Sequence, residues 1–255
     1  MINVILCGCG GRMGNAVTEA INEGNKFRVV AGVDINAEAL SAACSFPVYQ
    51  KIDEFPGKAD VIIDFSHHSA LAALSDYSVR TATPLVIATT GHSEDELELM
   101  RKTAESVPVF FSRNMSIGIN LLIEMSRKMA KTLGIDFDIE IIEKHHNKKL
   151  DAPSGTALMI AEALREERDE TEFVYDRHNV RAQRKTSEIG IHAVRGGTIV
   201  GEHEVMFAGN NEIISISHSA TSREIFANGA LKAAEFCIAK KPSLYNMSDI
   251  INQTN

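Results

Sequence analysis

The segment Glu143-Lys144-His145-His146-Asn147-Lys148-Lys149-Leu150-Asp151-Ala152-Pro153-Ser154-Gly155-Thr156-Ala157 brings paired imidazoles, the ammonium of Lys149 and a helix-start signal into fifteen residues. Histidine is the side-chain type whose ordinary pKa lies nearest neutral pH, so His145 or His146 is suited to give or take a proton. Pro153 and Ser154 precede the apolar run Ala157, Leu158, Ala161, Leu164. That order predicts a helix with Ser154 as its N-cap and with unpaired backbone N–H groups on its neighbours. Such an end attracts a carboxylate, and Lys149 adds a full positive charge. The combination suits an acidic small molecule that must also receive a proton.

A second set of residues lies at the N-terminus. Met1 to Cys7 is a short apolar run of the kind expected for a strand buried on both faces, and it leads into Gly8-Cys9-Gly10-Gly11-Arg12-Met13-Gly14. Met13, Ala16, Val17, Ala20 and Ile21 then follow helical spacing up to the stop signal Gly24-Asn25. Strand, glycine turn and helix form the context of a dinucleotide-binding fingerprint, and Asp34, at the end of the next strand candidate Phe27 to Val33, stands where a carboxylate would accept hydrogen bonds from the adenosine ribose. Ile35 follows it, with no arginine to meet a 2′-phosphate, so NADH is the expected cofactor, with NADPH as the second choice. The spacing departs from G-x-G-x-x-G, because Met13 occupies the third glycine position.

These groups must be positioned by a larger frame. Further buried-strand candidates are Val61 to Phe65, Leu85 to Ala88 and Val107 to Phe111, each separated from the next by room for a helix, which predicts a wound parallel sheet. Ala88-Thr89-Thr90-Gly91 and Ser112-Arg113-Asn114-Met115 follow strand ends, where an open parallel sheet binds its ligand. After about residue 116 the pattern changes. A helix is expected over Ile117 to Leu133, followed by a period-two strand over Asp136 to Ile141, the His145 cluster and its helix. Next come a charge-dense stretch from Arg165 to Lys185, whose basic run Arg177 to Lys185 is read as a solvated loop, and three strand segments, Ile189 to Val194, Thr198 to Phe207 and Glu212 to Ser219. Gly196 and Gly209-Asn210-Asn211 are read as hairpin connections, making this part antiparallel. A last helix, Arg223 to about Ala239, returns to the first domain. The fold class is α/β: a Rossmann-type parallel-sheet domain of residues 1–116 and 224–255, plus a mixed or antiparallel α+β domain of residues 117–223.

Composition narrows the function. With 26 basic against 34 acidic residues, the net charge of −8 argues against nucleic acid or an anionic membrane as partner. No apolar run approaches the roughly 20 residues that span a bilayer, and the N-terminus lacks a basic flank or cleavage site, so no export is expected. Cys7, Cys9, Cys44 and Cys237 have neither disulfide-framework nor zinc spacing and read as small buried residues in a reducing compartment. His192, His203 and His218 read as ordinary strand histidines, His67 and His68 as exposed residues beside a helix cap, and no metal is expected.

The motif Glu143 to Ala157 resembles the signature of the dihydrodipicolinate reductases, also called 4-hydroxy-tetrahydrodipicolinate reductases. Gly8 to Gly14, Thr89-Thr90-Gly91, Asn114-Met115-Ser116-Ile117-Gly118, Gly201-Glu202-His203, Ser222-Arg223 and Phe226-Ala227-Asn228-Gly229-Ala230 occur in that family's order. The resemblance spans nearly the whole chain and accounts for Met13. It implies a cytoplasmic, NAD(P)H-dependent, homotetrameric reductase of lysine and diaminopimelate biosynthesis, whose second domain carries substrate and tetramer contacts. It further implies that His145 is the general acid/base, Lys149 the second proton donor and carboxylate partner, and His146 a substrate ligand. Ser154, Gly155 and Thr156 would receive a carboxylate of a small dicarboxylate substrate. Gly8, Cys9, Gly10, Gly11, Arg12, Met13, Asp34, Ala88, Thr89, Thr90, Ser112, Arg113, Asn114 and Met115 would hold the cofactor. Ala88, Ser112 and Arg113 depart from the family's usual residues. The rivals are a reductase of another small imino or oxo acid and a non-catalytic NAD-binding sensor; the intact histidine and lysine argue against both.

Overall fold

The computed structural model describes residues 1–168 and 170–253. In chain order its regular elements begin with β1 (Ile2–Cys7), α1 (Arg12–Glu23), β2 (Phe27–Val33), α2 (Ala37–Leu40), β3 (Val48–Tyr49), β4 (Val61–Asp64), α3 (Leu71–Thr81), β5 (Leu85–Ile87), α4 (Glu94–Ala104) and β6 (Pro108–Phe111). They continue with α5 (Ile117–Leu133), β7 (Asp138–His145), α6 (Gly155–Arg165), β8 (Glu172–Val174), β9 (Glu188–Arg195), β10 (Gly201–Ala208) and β11 (Ile213–Ala220), and end with α7 (Glu224–Cys237), β12 (Ser243–Tyr245) and α8 (Met247–Asn252). The chain forms two compact units, one of Met1–Ile117 with the segment from Arg223 onward, the other of Gly118–Ser222. No helix of the described residues is long and apolar enough to cross a membrane.

The first unit is built on a seven-stranded sheet of order β12-β6-β5-β4-β1-β2-β3, every pair of which is parallel. Strands buried on both sides need apolar residues on both faces, and β1 supplies them. Val4 and Leu6 join Ala16 and Val17 of α1 and Ala230 and Ala234 of α7 in one core. Ile5 and Cys7 join Leu71 and Leu74 of α3 and Met100 of α4 in another. The strand order reverses between β1 and β4, so the loops after these two strands diverge and leave a crevice at their carboxyl ends.

The glycine turn explains its own spacing. A Cβ on Gly14 would lie 2.3 Å from the Gly8 carbonyl oxygen and 2.6 Å from Cys9 Cα. Gly14, one place beyond Met13, is therefore the residue that lets α1 pack on the end of β1. Met13 itself packs against the core that lies on that face.

The second unit is a five-stranded sheet of order β11-β10-β7-β9-β8. Its buried core joins Ile119 and Leu122 of α5 and Ile160 and Leu164 of α6 to Ile139, Ile141, Ile191, Val205 and Phe207 of the sheet. Three sequence expectations need correction here. The link between β9 and β10 is not a hairpin: β7 lies between them, antiparallel to β10 and parallel to β9, so this sheet is mixed. Only β10 and β11 form the expected antiparallel pair, across Gly209-Asn210-Asn211. The strand expected over Asp136 to Ile141 begins at Asp138 and continues to His145, placing the start of the histidine cluster on a strand. The charge-dense stretch contributes β8, parallel to β9, and its run from Arg177 to Lys185 is not simply solvated, since Arg184 turns inward to bond Asp138 (2.6 Å), Glu140 (3.0 Å) and the Ile139 carbonyl (3.0 Å).

Gly14→Ala should destabilise the first unit by about 1–3 kcal/mol, because the added methyl meets backbone that cannot rotate away. A lower urea midpoint at unchanged slope is the expected result; an unchanged midpoint would mean the turn relaxes freely.

Candidate active site

Within the second unit, residues of β7, β9, β10 and the start of α6 converge. β7 alternates strictly between buried and half-buried positions, and its buried set runs Ile139, Ile141, Glu143, His145. An apolar face thus ends in a carboxylate and an imidazole. Glu143 has no exposure to solvent, so each of its oxygens must find donors inside the protein. Oε2 accepts from His145 Nδ1 (2.6 Å) and Arg195 Nη1 (2.8 Å). Oε1 accepts from the Ser154 N–H (3.0 Å) and Arg195 Nη2 (2.7 Å). Burial pushes the Glu143 carboxyl up, but the hydrogen bonds from Arg195, His145 and Ser154 outweigh it and hold the group below its ordinary range. Glu143 is therefore ionised at neutral pH.

His145 lies over β10, where a Cβ on Gly201 would come within 3.0 Å of its Nε2. A glycine there gives the ring its room. His203 stands opposite Glu143 across the β7–β10 pair, and its ring meets that of His145 edge to face at 5.2 Å. His203 Nε2 shares a hydrogen bond with Ser154 Oγ at 3.0 Å. Burial and the neighbouring His145 push the His203 imidazole down to about 4, so the ring is neutral. It belongs to this cluster and is not an ordinary strand histidine.

Ser154 is the N-cap of α6 as expected: its Oγ accepts from the Ala157 N–H at 3.1 Å. Gly155, next along, is exposed, and a Cβ there would meet nothing within 4 Å. Open space therefore lies before the first turn of α6, where the backbone amides favour an anion. Thr156 and His146 are half-buried nearby in sequence. Lys149 is not an unattached charge; its Nζ pairs with Asp151 Oδ1 at 2.9 Å. Arg195 Nη2 also donates to the Asp151 carbonyl (2.6 Å), joining this loop to the Glu143 pair.

In the first unit, a crevice of about 360 Å³ at the reversal point is lined by Gly8, Gly10, Gly11, Asp34, Ser66 and His67, among others. Asp34 is held there by two backbone donors, Gly10 N–H to Oδ2 and Asn36 N–H to Oδ1, both at 3.0 Å. The N-cap of α1 is Gly11, with no side-chain cap and no acidic residue in the first turn. An uncapped helix start and a carboxylate beside a concave glycine-lined surface fit a dinucleotide. Cys9 is buried, burial pushing its thiol up to about 12, so only its backbone is available to a ligand; Met13 and Met115 likewise face the core. Arg12, Thr90 and Arg113 are exposed and Ala88 is half-buried. Thr89 is buried and donates to Asp64 (3.2 Å), while Ser112 Oγ donates to the Asn114 carbonyl (2.7 Å).

Sequence reasoning missed Glu143, Arg195, His203 and His67 as parts of these sites. A carboxylate on the buried face of an alternating strand was the available signal for Glu143. His67 caps the short 3-10 turn His68–Ala70 that precedes α3: its ring accepts the Ser69 N–H and it lines the crevice.

A parallel sheet with a glycine crevice at its reversal point, carried in one chain with a second unit that pairs a histidine with a buried carboxylate beside an open helix start, defines a nicotinamide-dependent oxidoreductase. Comparison with known proteins gives the family. The profile described as "Dihydrodipicolinate reductase, N-terminus" matches residues 2–115, and that described as "Dihydrodipicolinate reductase, C-terminus" matches residues 118–251. The chain belongs to the dihydrodipicolinate reductase family. It is 54% identical over 254 residues, 99% of both chains, to the 4-hydroxy-tetrahydrodipicolinate reductase of Caldanaerobacter subterraneus subsp. tengcongensis. It is 44% identical over 256 residues, all of both chains, to that of Clostridium novyi. Among solved structures it is similar to a dipicolinate-bound dihydrodipicolinate reductase from Paenisporosarcina sp. TG-14, with TM-score 0.82, 25% identity, and coverage of 96% of this chain and 97% of that one.

The neutral His203 makes stability depend on pH. Its folded pKa lies below the ordinary histidine value of 6.5, so the unfolded chain takes up the proton first. Its contribution is present above about pH 6.5 and is lost as pH falls toward 4, on the order of 2 kcal/mol by about pH 5. Urea unfolding at pH 7 and pH 5 should show a smaller drop for His203→Gln than for wild type; equal drops would remove His203 from this account.

Proposed function

We propose that the chain reduces 4-hydroxy-tetrahydrodipicolinate, by way of its dehydrated form, to tetrahydrodipicolinate with NAD(P)H, serving lysine and diaminopimelate biosynthesis. The observation that carries this reading is the pairing of His145 with an ionised, buried Glu143 beside an open helix N-terminus. Bound nicotinamide supplies the hydride, which adds at C4 of the ring. The resulting enamine needs a proton at C3, and His145 donates it from Nε2. Lys149 and the amides of Gly155 and Thr156 receive the ring carboxylates, with Ser154 fixing the helix end and His146 adding a contact. Two carboxylates taken out of water demand that much positive charge.

In the first unit, Gly8, Gly10 and Gly11 would receive the pyrophosphate, with Cys9, Arg12 and Met13 contributing through the backbone of the same turn. Asp34 would bind the adenosine ribose. Residues 88–90 and 112–115 lie after β5 and β6, at strand ends where the nicotinamide half would bind. The crevice lining contains no lysine or arginine among the described residues, and Ile35 beside Asp34 is exposed. Both features support NADH over NADPH, since a 2′-phosphate would face the Asp34 carboxylate without a cation. Homotetramer formation through the second unit goes with this reading. Its sheet is covered by helices on one face only, and edge strand β11 exposes Ile213 and Ile214. A cytoplasmic location is supported by four unpaired cysteines.

NADH oxidation, followed by absorbance with freshly generated 4-hydroxy-tetrahydrodipicolinate, tests the reading directly. His145→Gln should lower kcat about 10²- to 10⁴-fold with a smaller change in KM, the range of a lost general acid. Lys149→Ala should lower kcat and raise KM together. No oxidation with either cofactor, despite cofactor binding, would point to another imino-acid substrate or to a sensor. Asp34→Ala should shift the ratio of catalytic efficiencies toward NADPH; an unchanged ratio would count against Asp34 as the ribose reader.

A further inference from the structure

We infer that Glu143, clamped by Arg195, is a positioning residue that fixes the tautomer and orientation of His145, so that Nε2 alone carries the proton to be transferred. The inference rests on the reading of His145 as the proton donor. Ionised carboxylates only accept hydrogen bonds, so the 2.6 Å contact requires a proton on His145 Nδ1. Glu143 has no freedom to turn away. The Arg195 fork holds both of its oxygens (2.8 and 2.7 Å), and the Ser154 N–H takes a further site (3.0 Å). Arg195 is itself placed by register, directly opposite His145 in the parallel β7–β9 pair.

The imidazole is confined on its other sides as well. His203 meets it edge to face at 5.2 Å. Gly201 lies under Nε2, where a Cβ would come to 3.0 Å. Nε2 has no protein hydrogen-bond partner among the described residues, whereas Nδ1 is committed. When protonated His145 acts as acid, its Nε2–H bond breaks and the enamine electron pair forms the new C3–H bond. A neutral ring remains with its proton on Nδ1, the tautomer that Glu143 already holds. No ring flip is needed between turnovers.

Two measurements test this. The first does not depend on turnover: ¹⁵N NMR of histidine-labelled protein above the imidazole titration, with His145 assigned from the His145→Gln spectrum. The expected result is an Nδ1–H tautomer with an unprotonated Nε2. An Nε2–H tautomer or a mixture would overturn the inference even if the enzyme is fully active. The expected tautomer in a protein that fails to reduce the proposed substrate would leave the inference standing and remove the functional reading instead.

The second is a mutant cycle. Glu143→Gln should lower kcat about 10- to 100-fold with KM changed by less than about threefold, the scale of losing a partner that orients an active histidine. NADH affinity, which reports on the first unit, should be unchanged. The double variant Glu143→Gln/His145→Gln should be no slower than His145→Gln alone, because Glu143 acts through that ring. Losses that multiply would show an independent structural role and overturn the inference. Arg195→Lys keeps the charge but gives up the fork; it should lower kcat by a smaller factor than Glu143→Gln, and provides the same comparison if Glu143→Gln does not fold.

Discussion

The second unit is organised around a carboxylate that water cannot reach. An isolated ionised carboxylate in a protein interior costs several kcal/mol, and removing one partner from a buried pair typically costs about 3–5 kcal/mol. Glu143 avoids that penalty only while β7, β9 and the start of α6 all keep their places, since Arg195, His145 and the Ser154 amide come from these elements. The mixed sheet follows from the same demand. A parallel β7–β9 pair sets Arg195 opposite His145, and an antiparallel β7–β10 pair sets His203 opposite Glu143. A simple meander through these strands would separate the groups.

The first unit meets a different constraint. All of its strands are parallel and its central ones are buried on both faces, so chemistry is available only at strand ends. There the chain uses backbone more than side chains: the amides around Gly11, the Asp34 carboxylate held by two N–H groups, and a helix start that carries no competing acid. Asp64, at the end of β4, has a structural part. Burial pushes its carboxyl up, against hydrogen bonds from Ser66 and Thr89 that tie the loops after β4 and β5 together.

Much of this was legible in residue order because the signals are local. The Ser154 cap, the glycine turn and the strands Phe27–Val33 and Val61–Asp64 each depend on neighbours in sequence, and the structure has them where spacing predicts. What escaped depends on pairing across long separations. Arg195 lies 52 residues from Glu143, and nothing in a linear pattern says that β9 pairs with β7 rather than with the strand that follows it. Glycines after β9 look like a hairpin connection whichever strand comes next. His203 was misjudged for the same reason, since its role comes from the strand it lies against. The departure at Met13 has a local reason that spacing alone does not show: Gly14, one place on, makes the close helix–strand contact.

The charges near His145 divide into one fixed ion pair and one loose one. Glu143 and Arg195 neutralise one another in the interior, and His203 carries no charge at neutral pH. Lys149 is paired with Asp151, whose side chain is 58% exposed. Exposed ion pairs are worth only about 0–1 kcal/mol, so Lys149 can leave Asp151 for a ring carboxylate at little cost. The Glu143–Arg195 pair cannot exchange in this way, because the Glu143 carboxylate is fully buried and has no water to replace its partner. In the proposed reaction one ion pair is thus fixed to orient the proton donor, while the other is loose enough to be handed to the ligand. That division separates the two demands of the proposed reaction: a proton held at one defined atom, and an anion admitted from water.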